Sequence, residues 1–259
     1  HNVAFEPEEI ESERGVIHEE WRGGFEAQRR IQNKLFSILF EGSKYATHNI
    51  IGSMDIVDNF EHELLTSYYN DWYRPDLQAI IAIGDFDVEE MEQKIIDKFS
   101  QIPAKENPRP REIIQVPEHD ETKVAVITDK EEQYLMARVY YKHPVQDDKT
   151  TQQYYRESLK QQLYNRMLSN RLQELTQKPD APFVYAASMY RNFVRSTDAY
   201  MTIGVAKSDP LATLKSLLIE NTRVKKFGFT DSELERAKKE ILASFETTYK
   251  EREKRESSS

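Results

Sequence analysis

A proline-rich stretch near the middle of the chain, "IPAKENPRPREIIQVPEHDET" at 102–122, most strongly limits how this sequence can fold. It holds four of the chain's 10 prolines, and proline neither continues a helix nor donates a hydrogen bond to a sheet. Such a stretch favours an extended linker between separately folded parts. The sequence therefore predicts two units, residues 1–104 and 121–259, joined by a linker at 105–120.

Hydrophobic periodicity predicts a different set of elements on each side of the linker. Before it, the sequence predicts helices over 6–40 with a break near Gly23–Gly24, over 57–72 and over 87–99, and one strand at Leu77–Phe86. After it, the sequence predicts strands at 123–128, 134–142, 183–194 and 199–206, and helices at 150–176, 210–225 and 230–256. Because these strands do not alternate regularly with helices, the predicted fold class is α+β, with antiparallel sheets and long helices packed on one face.

The first predicted helix carries two carboxylates on its apolar face. Glu13 and Glu20 stand seven positions apart in "ESERGVIHEEW", residues 11–21, and at about 100° per residue they share a face. Ile17 and Trp21 flank that face. A buried carboxylate is costly unless a cation, a metal or hydrogen bonds compensate it. The face is therefore predicted to line a polar cleft or to meet a partner, and the alternative is a solvated stripe on a glutamate-rich helix.

Composition excludes several classes of function. The net charge is −9, with 45 Asp and Glu against 36 Lys and Arg, and no basic stretch is interleaved with aromatic residues, so nucleic acid is not an expected partner. The chain has no cysteine, which excludes disulfides, thiolate zinc ligands and cysteine nucleophiles. No apolar run approaches the roughly 18 residues of a membrane span.

The chain begins with His1 rather than Met, and we expect it to be a piece of a longer protein.

Residues 5–21 and 229–245 share a pattern that suggests an internal repeat. Four large apolar positions match at equal spacing: Phe5 with Phe229, Ile10 with Leu234, Ile17 with Ile241, and Trp21 with Phe245. The two acids do not repeat, because Ala237 and Ser244 stand at the positions of Glu13 and Glu20. Only the first copy therefore carries acids that require an explanation.

The segment "ESERGVIHEEW" resembles the part of pitrilysin/insulinase-type zinc metallopeptidases that supplies the third metal ligand. In that family an inverted H-x-x-E-H helix provides two histidine ligands and the general base, and a glutamate in a later helix, one heptad after a companion acid, completes the site. "YATHNIIGSMDIVDNF" and "LLTSYYNDWYRPDLQAIIAIGDFDVEEMEQKIIDKF" are similar to the segments that follow in the family. The resemblance covers about 1–100, while 121–256 is similar to the opening half of a second, degenerate copy of the domain.

The resemblance implies a parent zinc metalloendopeptidase with two related pitrilysin-type domains, each only partly present here. Glu20 matches the third zinc ligand, and Glu13 matches the companion acid that supports the site from nearby. Zinc in such sites takes two imidazoles, one carboxylate and a water whose pKa it lowers. The chain's six histidines include no H-x-x-E-H arrangement. This chain alone is therefore predicted neither to hold catalytic zinc nor to hydrolyse peptides.

Two functions stay open for the parent protein: a zinc peptidase, and a noncatalytic scaffold or partner-binding homologue of the same family. The implied partners are a peptide or unfolded protein substrate and the missing upstream and downstream domains, with exchange of half-domains between two chains as a further prediction. The implied setting is the bacterial periplasm or cytoplasm. His18 and His62 are predicted to be surface histidines rather than ligands, because His18 points about 160° away from Glu20 on the helix.

Overall fold

The computed structural model describes residues 3–24, 26–145 and 148–254, and the chain divides into two compact units between Lys130 and Glu131. The first unit contains five α-helices in its described residues: α1 (Pro7–Gly23), α2 (Ala27–Leu39), α3 (Met54–Asn59), α4 (His62–Trp72) and α5 (Val88–Phe99). The second unit contains, in chain order, β1 (Met136–Pro144), α6 (Gln152–Thr176), β2 (Phe183–Val194), β3 (Thr197–Ala206), α7 (Pro210–Phe227) and α8 (Asp231–Glu251). The chain thus has the α+β architecture that its sequence predicts.

The first helices begin and end at local signals that the sequence carries. α1 has Pro7 in its first turn, where its missing N–H costs nothing, and it ends at Gly23, next to the predicted break. α5 begins at an Asp87 cap, whose side chain accepts a hydrogen bond of 2.9 Å from the Glu90 amide. The predictions for 6–40 and 87–99 are therefore confirmed.

The predicted helix over 57–72 is wrong in one respect, because the structure divides this stretch into α3 and α4. Phe60 and Glu61 both have extended backbone angles at the junction. The carbonyl of Phe60 accepts a hydrogen bond of 2.8 Å from the Arg14 guanidinium of α1. A distant residue thus supplies a partner for a main-chain group at this break, which a pattern within 57–72 does not reveal.

Two predicted strands, Leu77–Phe86 and 123–128, are also wrong, because neither joins a hydrogen-bonded ladder among the described residues. Both runs are apolar yet exposed: Ile83 is 91% exposed and Val126 is 89% exposed. A strand needs a neighbour to pair its N–H and C=O groups. The described part of the first unit provides no such neighbour, so neither run forms a strand.

Polar contacts fasten both ends of the proline-rich stretch to helices of the first unit. At its start, the Lys105 ammonium donates hydrogen bonds to the Asn70 carbonyl (2.6 Å) and to the Asp71 carboxylate (3.0 Å). Beyond its end, Arg30 of α2 donates two hydrogen bonds, of 2.7 and 2.8 Å, to the Asp129 carboxylate, whose side chain is only 9% exposed. A paired guanidinium and carboxylate in this geometry is strong and directional.

The second unit is built on an antiparallel sheet with the strand order β1-β3-β2. β2 and β3 form a hairpin in which Ala187 lies opposite Ile203, and β1 pairs along the other edge of β3. The sequence prediction for β2 is confirmed at both of its ends, and those for β1 and β3 differ by two residues at one or both ends.

Helices α6 and α7 pack on one face of this sheet and form its core. The core residues are large and buried: Leu168, Leu172, Phe183, Tyr200, Leu217 and Val224. Gly204 of β3 lies directly under α7. A Cβ atom added there would come within 2.5 Å of Thr213 and 3.1 Å of Leu217. Glycine at this position therefore allows close approach of the helix to the strand.

Candidate metal-ligand helix

The two predicted site acids lie together on the exposed side of α1. The side chains of Glu13 and Glu20 are both exposed to solvent. Neither makes a hydrogen bond or an ion pair with any other residue that the structure describes. Their seven-residue spacing holds in the structure, because α1 is a continuous helix from Pro7 to Gly23. The pair is thus a set of two free carboxylates presented on one face.

The neighbouring face of α1 holds the helix onto α3 and α4. Ile10 is buried, and Ile17 and Trp21 are half-buried on this side. Arg14 has a side chain that is only 13% exposed, and its guanidinium donates to the carbonyls of Val57 and Phe60. The packing of these residues fixes which side of α1 is left open, and it leaves the side with Glu13 and Glu20 uncovered.

Two histidines flank this packed face, and each is paired with a carboxylate. His18 Nε2 lies 2.5 Å from Asp58 Oδ1, and His62 Nε2 lies 2.7 Å from Glu11 Oε1. Hydrogen bonds from His62 and then Arg14 lower the pKa of Glu11 below its ordinary value. Both imidazoles are partly exposed; that of His18 reaches from α1 to α3, and that of His62 reaches from α4 to α1. They connect helices and do not approach the open face.

Sequence reasoning did not single out Arg14, although it lies beside Glu13 in the family-like segment. The reason is that its role depends on residues more than 40 positions away. The only signal in the sequence was an arginine on the helix face that also carries Ile10 and Ile17. A charged residue among packed apolar positions requires a buried acceptor, and the main-chain carbonyls at the end of α3 are that acceptor.

The donor set of the described residues does not by itself fit a closed zinc site. Structural and catalytic zinc sites take at least three protein ligands, and no group of three or more His, Asp or Glu side chains within residues 3–24, 26–145 and 148–254 is arranged to hold a metal. Glu20 offers one carboxylate and Glu13 a second within one helical face. Imidazole ligands would have to reach this face from polypeptide outside the described chain.

Helix α8, whose sequence pattern matches that of α1, differs from α1 in what covers the matching face. α8 packs on α6 through ion pairs and hydrogen bonds that link Glu233 to Arg171, Arg236 to Glu174, and Glu240 to Asn170. Ala237, which matches Glu13 in the sequence repeat, is completely buried, whereas Ser244, which matches Glu20, is exposed. A helix thus covers the Ala237 position in the second unit, while the Glu13 position of α1 is open.

No helix in the described residues is both long enough and apolar enough to span a membrane.

The family model and the relatives that match this chain are described as peptidases or proteases. The sequence model described as "Peptidase M16 inactive domain" matches residues 59–241, which begins after α1. A protein named "Zinc protease PQQL-like" from Arabidopsis thaliana is 27% identical over 253 residues, which are 97% of this chain and 24% of that protein. The chain therefore spans about a quarter of the length of the curated relatives it matches.

Solved structures share the fold. The first half of the periplasmic protease PqqL from Escherichia coli superposes with a TM-score of 0.87 at 23% identity, over 99% of this chain and 55% of that one. The ferredoxin protease FusC, solved as a mutant in complex with Arabidopsis ferredoxin, has a TM-score of 0.78 at 19% identity, over 92% of this chain and 27% of that one. Together with the match over most of the sequence, these similarities show that the chain belongs to the peptidase M16 family, the pitrilysin/insulinase-type family of zinc proteases.

Proposed function

We propose that this chain is part of a zinc-dependent metalloendopeptidase in which Glu20 is the third zinc ligand and Glu13 is a supporting acid. The observation that carries the proposal is the open face of α1, where both carboxylates are exposed and free of partners among the described residues. The family's zinc-protease relatives and the family-like segment "ESERGVIHEEW", with its two glutamates seven positions apart, support the assignment of these residues. Zinc, when bound, would supply an acidified water and polarise the scissile carbonyl.

The two glutamates would have different tasks. Glu20 would bind the metal through its carboxylate, which is the ligand type that completes a site of two imidazoles. Glu13 lies one heptad earlier on the same face and would orient the ligands or their hydrogen bonds from nearby. Polypeptide outside this chain would supply the imidazoles and the general base, either from the same protein or, by half-domain exchange, from a second copy. The isolated chain is therefore still expected to be inactive.

The repeat supports this arrangement physically. In the second unit, α6 packs on α8 and buries Ala237. By analogy, a helix placed on α1 in the same way would cover Glu13. A carboxylate covered in this way would be compensated by the metal or by the incoming donors.

The relatives support a proposal for the substrate class and the cellular compartment. FusC was solved with a protein partner, and we propose that the parent of this chain likewise acts on proteins or peptides. The PqqL neighbour is described as periplasmic, which favours the periplasm over the cytoplasm as the setting.

The test is to express the full-length protein with Glu20→Gln and to measure bound zinc and peptide hydrolysis. We expect the substitution to weaken zinc binding by more than about 100-fold, because loss of a direct ligand exceeds the 10–100-fold cost of altering a supporting residue. Glu13→Gln should fall within that 10–100-fold range. Glu19→Gln is the matched control, because Glu19 is exposed on the same helix and pairs with Arg22 in solvent. Wild-type zinc content and turnover in Glu20→Gln would refute the assignment.

The second candidate function is a noncatalytic scaffold or partner-binding homologue. It is favoured by the matched family description, which names an inactive domain. An H-x-x-E-H segment upstream of residue 1 in the full reading frame would support the peptidase, and its lack would support the scaffold.

A further inference from the structure

We propose that Arg14 is a positioning residue for the ligand helix, which sets the rotation of α1 about its own axis and so aims the carboxylates of Glu13 and Glu20. This inference rests on the proposed function, because it concerns where the proposed zinc ligand points.

The Arg14 side chain is held from three directions. Its Nη2 donates a hydrogen bond of 2.8 Å to the Phe60 carbonyl, and its Nη1 donates to the carbonyl of Val57. Its guanidinium lies over the Phe60 ring, 4.0 Å from the ring centroid. Its Nε lies 3.1 Å from a carboxylate oxygen of Glu11. The planar guanidinium therefore has a fixed orientation in a nearly buried place.

These contacts fix the rotation of α1 about its own axis, which the apolar contacts of α1 do not. The two acceptor carbonyls belong to the last turn of α3 and the residue after it, where carbonyls lack helical partners. Hydrogen bonds to them are directional, whereas the burial of Ile10 depends on area and tolerates a small turn of the helix. Arg14 precedes Glu20 by six positions, so a guanidinium fixed toward α3 holds the Glu20 carboxylate about 120° away, on the open side.

A small rotation would be enough to disrupt a metal site. A turn of about 20° displaces an atom at a side-chain radius of about 5–6 Å by roughly 2 Å. Zinc–oxygen distances vary by only about 0.2 Å in well-formed sites. The rotational state of α1 therefore decides whether the Glu20 carboxylate meets the metal.

The experiment compares three variants of the full-length zinc-loaded protein. Arg14→Lys keeps the charge and the stem but replaces the planar guanidinium by a single ammonium, which does not reproduce the two-carbonyl geometry and the ring contact. Arg14→Met removes the donors and keeps the volume. Arg22→Met is the matched control, because Arg22 lies on the same helix, is 65% exposed and pairs with Glu19. The measurements are zinc affinity by chelator competition, the absorption spectrum of the Co²⁺-substituted protein, kcat, KM and the melting temperature.

We expect both Arg14 variants to bind zinc 10–100-fold more weakly, the range found for residues that orient metal ligands. The Co²⁺ spectrum should change, and kcat should fall with KM nearly unchanged, because the ligand and not the substrate surface has moved. Arg22→Met should match the wild type in every measurement. If Arg14→Met does not fold, Arg14→Lys alone tests the inference.

Wild-type zinc affinity and an unaltered Co²⁺ spectrum in Arg14→Lys would overturn the inference, as would an equal loss in Arg22→Met. This failure is distinguishable from failure of the proposed function. If Glu20→Gln loses zinc while Arg14→Lys retains it, Glu20 remains the ligand and only the role of Arg14 is refuted. If Glu20→Gln retains zinc, the proposed function itself fails.

Discussion

At the scale of single residues, a pair between α6 and α8 stabilises the second unit. Arg171 Nη2 donates a hydrogen bond of 2.8 Å to a Glu233 oxygen, and the two side chains are only 11% and 17% exposed. Glu233 also accepts from Thr230 and closes the capping box of α8. Hydrogen bonds from Arg171, and then from Thr230, lower the pKa of Glu233 to about 2. One carboxylate therefore both starts the helix and fastens it to its neighbour.

This pair predicts a defined pH dependence of stability. The folded-state pKa of Glu233 lies below its ordinary value of 4.5, so its contribution is complete above pH 4.5 and is lost as the pH falls toward 2. We expect Glu233→Gln to lower the free energy of unfolding by about 2 kcal/mol at pH 7, with the difference from wild type shrinking between pH 4.5 and 2. Urea unfolding followed by circular dichroism measures it.

The matched control is Glu235→Gln on the same helix turn. Glu235 pairs with Lys238 in solvent, and exposed pairs contribute little, so this substitution should leave the unfolding curve unchanged. A Glu233→Gln difference that stays constant down to pH 2 would contradict the assigned cause.

At the scale of elements, α1 and α8, whose sequences share a pattern, have different surroundings. Ala237 is completely buried where α8 packs on α6, whereas the matching Glu13 is exposed. We expect Ala237→Glu, which gives α8 the residue of α1, to lower the free energy of unfolding by about 3 kcal/mol or more, because it inserts a larger side chain and a charge into a packed helix interface.

Ala243→Glu controls for helix propensity and charge, because Ala243 is exposed on the same helix. It should change the unfolding free energy by no more than about 0.5 kcal/mol. Equal effects of the two substitutions in urea unfolding would mean that α6 does not exclude a carboxylate from the 237 position.

The sequence predicted elements well where their signals are local. Pro7 and Gly23–Gly24 limit α1, the Asp87 cap begins α5, and the apolar run at 183–194 coincides with β2 at both ends. The predicted strands at Leu77–Phe86 and 123–128 were wrong. An apolar pattern indicates that burial of a segment is favourable, but it does not indicate that a neighbouring strand is present to pair with it.

The site was predictable in part for the same reason. The spacing of Glu13 and Glu20 on one helix is a property of neighbouring residues, so their shared face could be foreseen. The Arg14 contacts join residues 43 and 46 positions apart. Nothing within the helix itself indicates which carbonyls will accept them, and the division of 57–72 into two helices was missed for the same reason.

At the scale of the whole molecule, the two units differ in how far their apolar runs are paired as strands within the unit. The second unit pairs three strands in one sheet. The first unit leaves the apolar run around Ile81 and Ile83 exposed and outside any strand. Surface of this kind is typical of a segment that other polypeptide covers.

Hydrogen exchange measures this difference directly. In the isolated chain we expect amides at 78–83 to exchange rapidly and amides at 199–206 in the central strand β3 to be protected, because protection requires a hydrogen-bonded partner. In the full-length protein both stretches should be protected. Equal protection of the two stretches in the isolated chain would show that the first unit completes a sheet without further polypeptide.

The fastening of Lys105 to α4 and of Asp129 to α2 has a consequence for how this protein tolerates change in length. Residues added around 110–119 would bulge from a loop whose ends are already tied, and lengthening a tied loop costs only about 0.6 kcal/mol per doubling. Insertions at 110–119 should therefore leave the contacts of Lys105 and Arg30 in place.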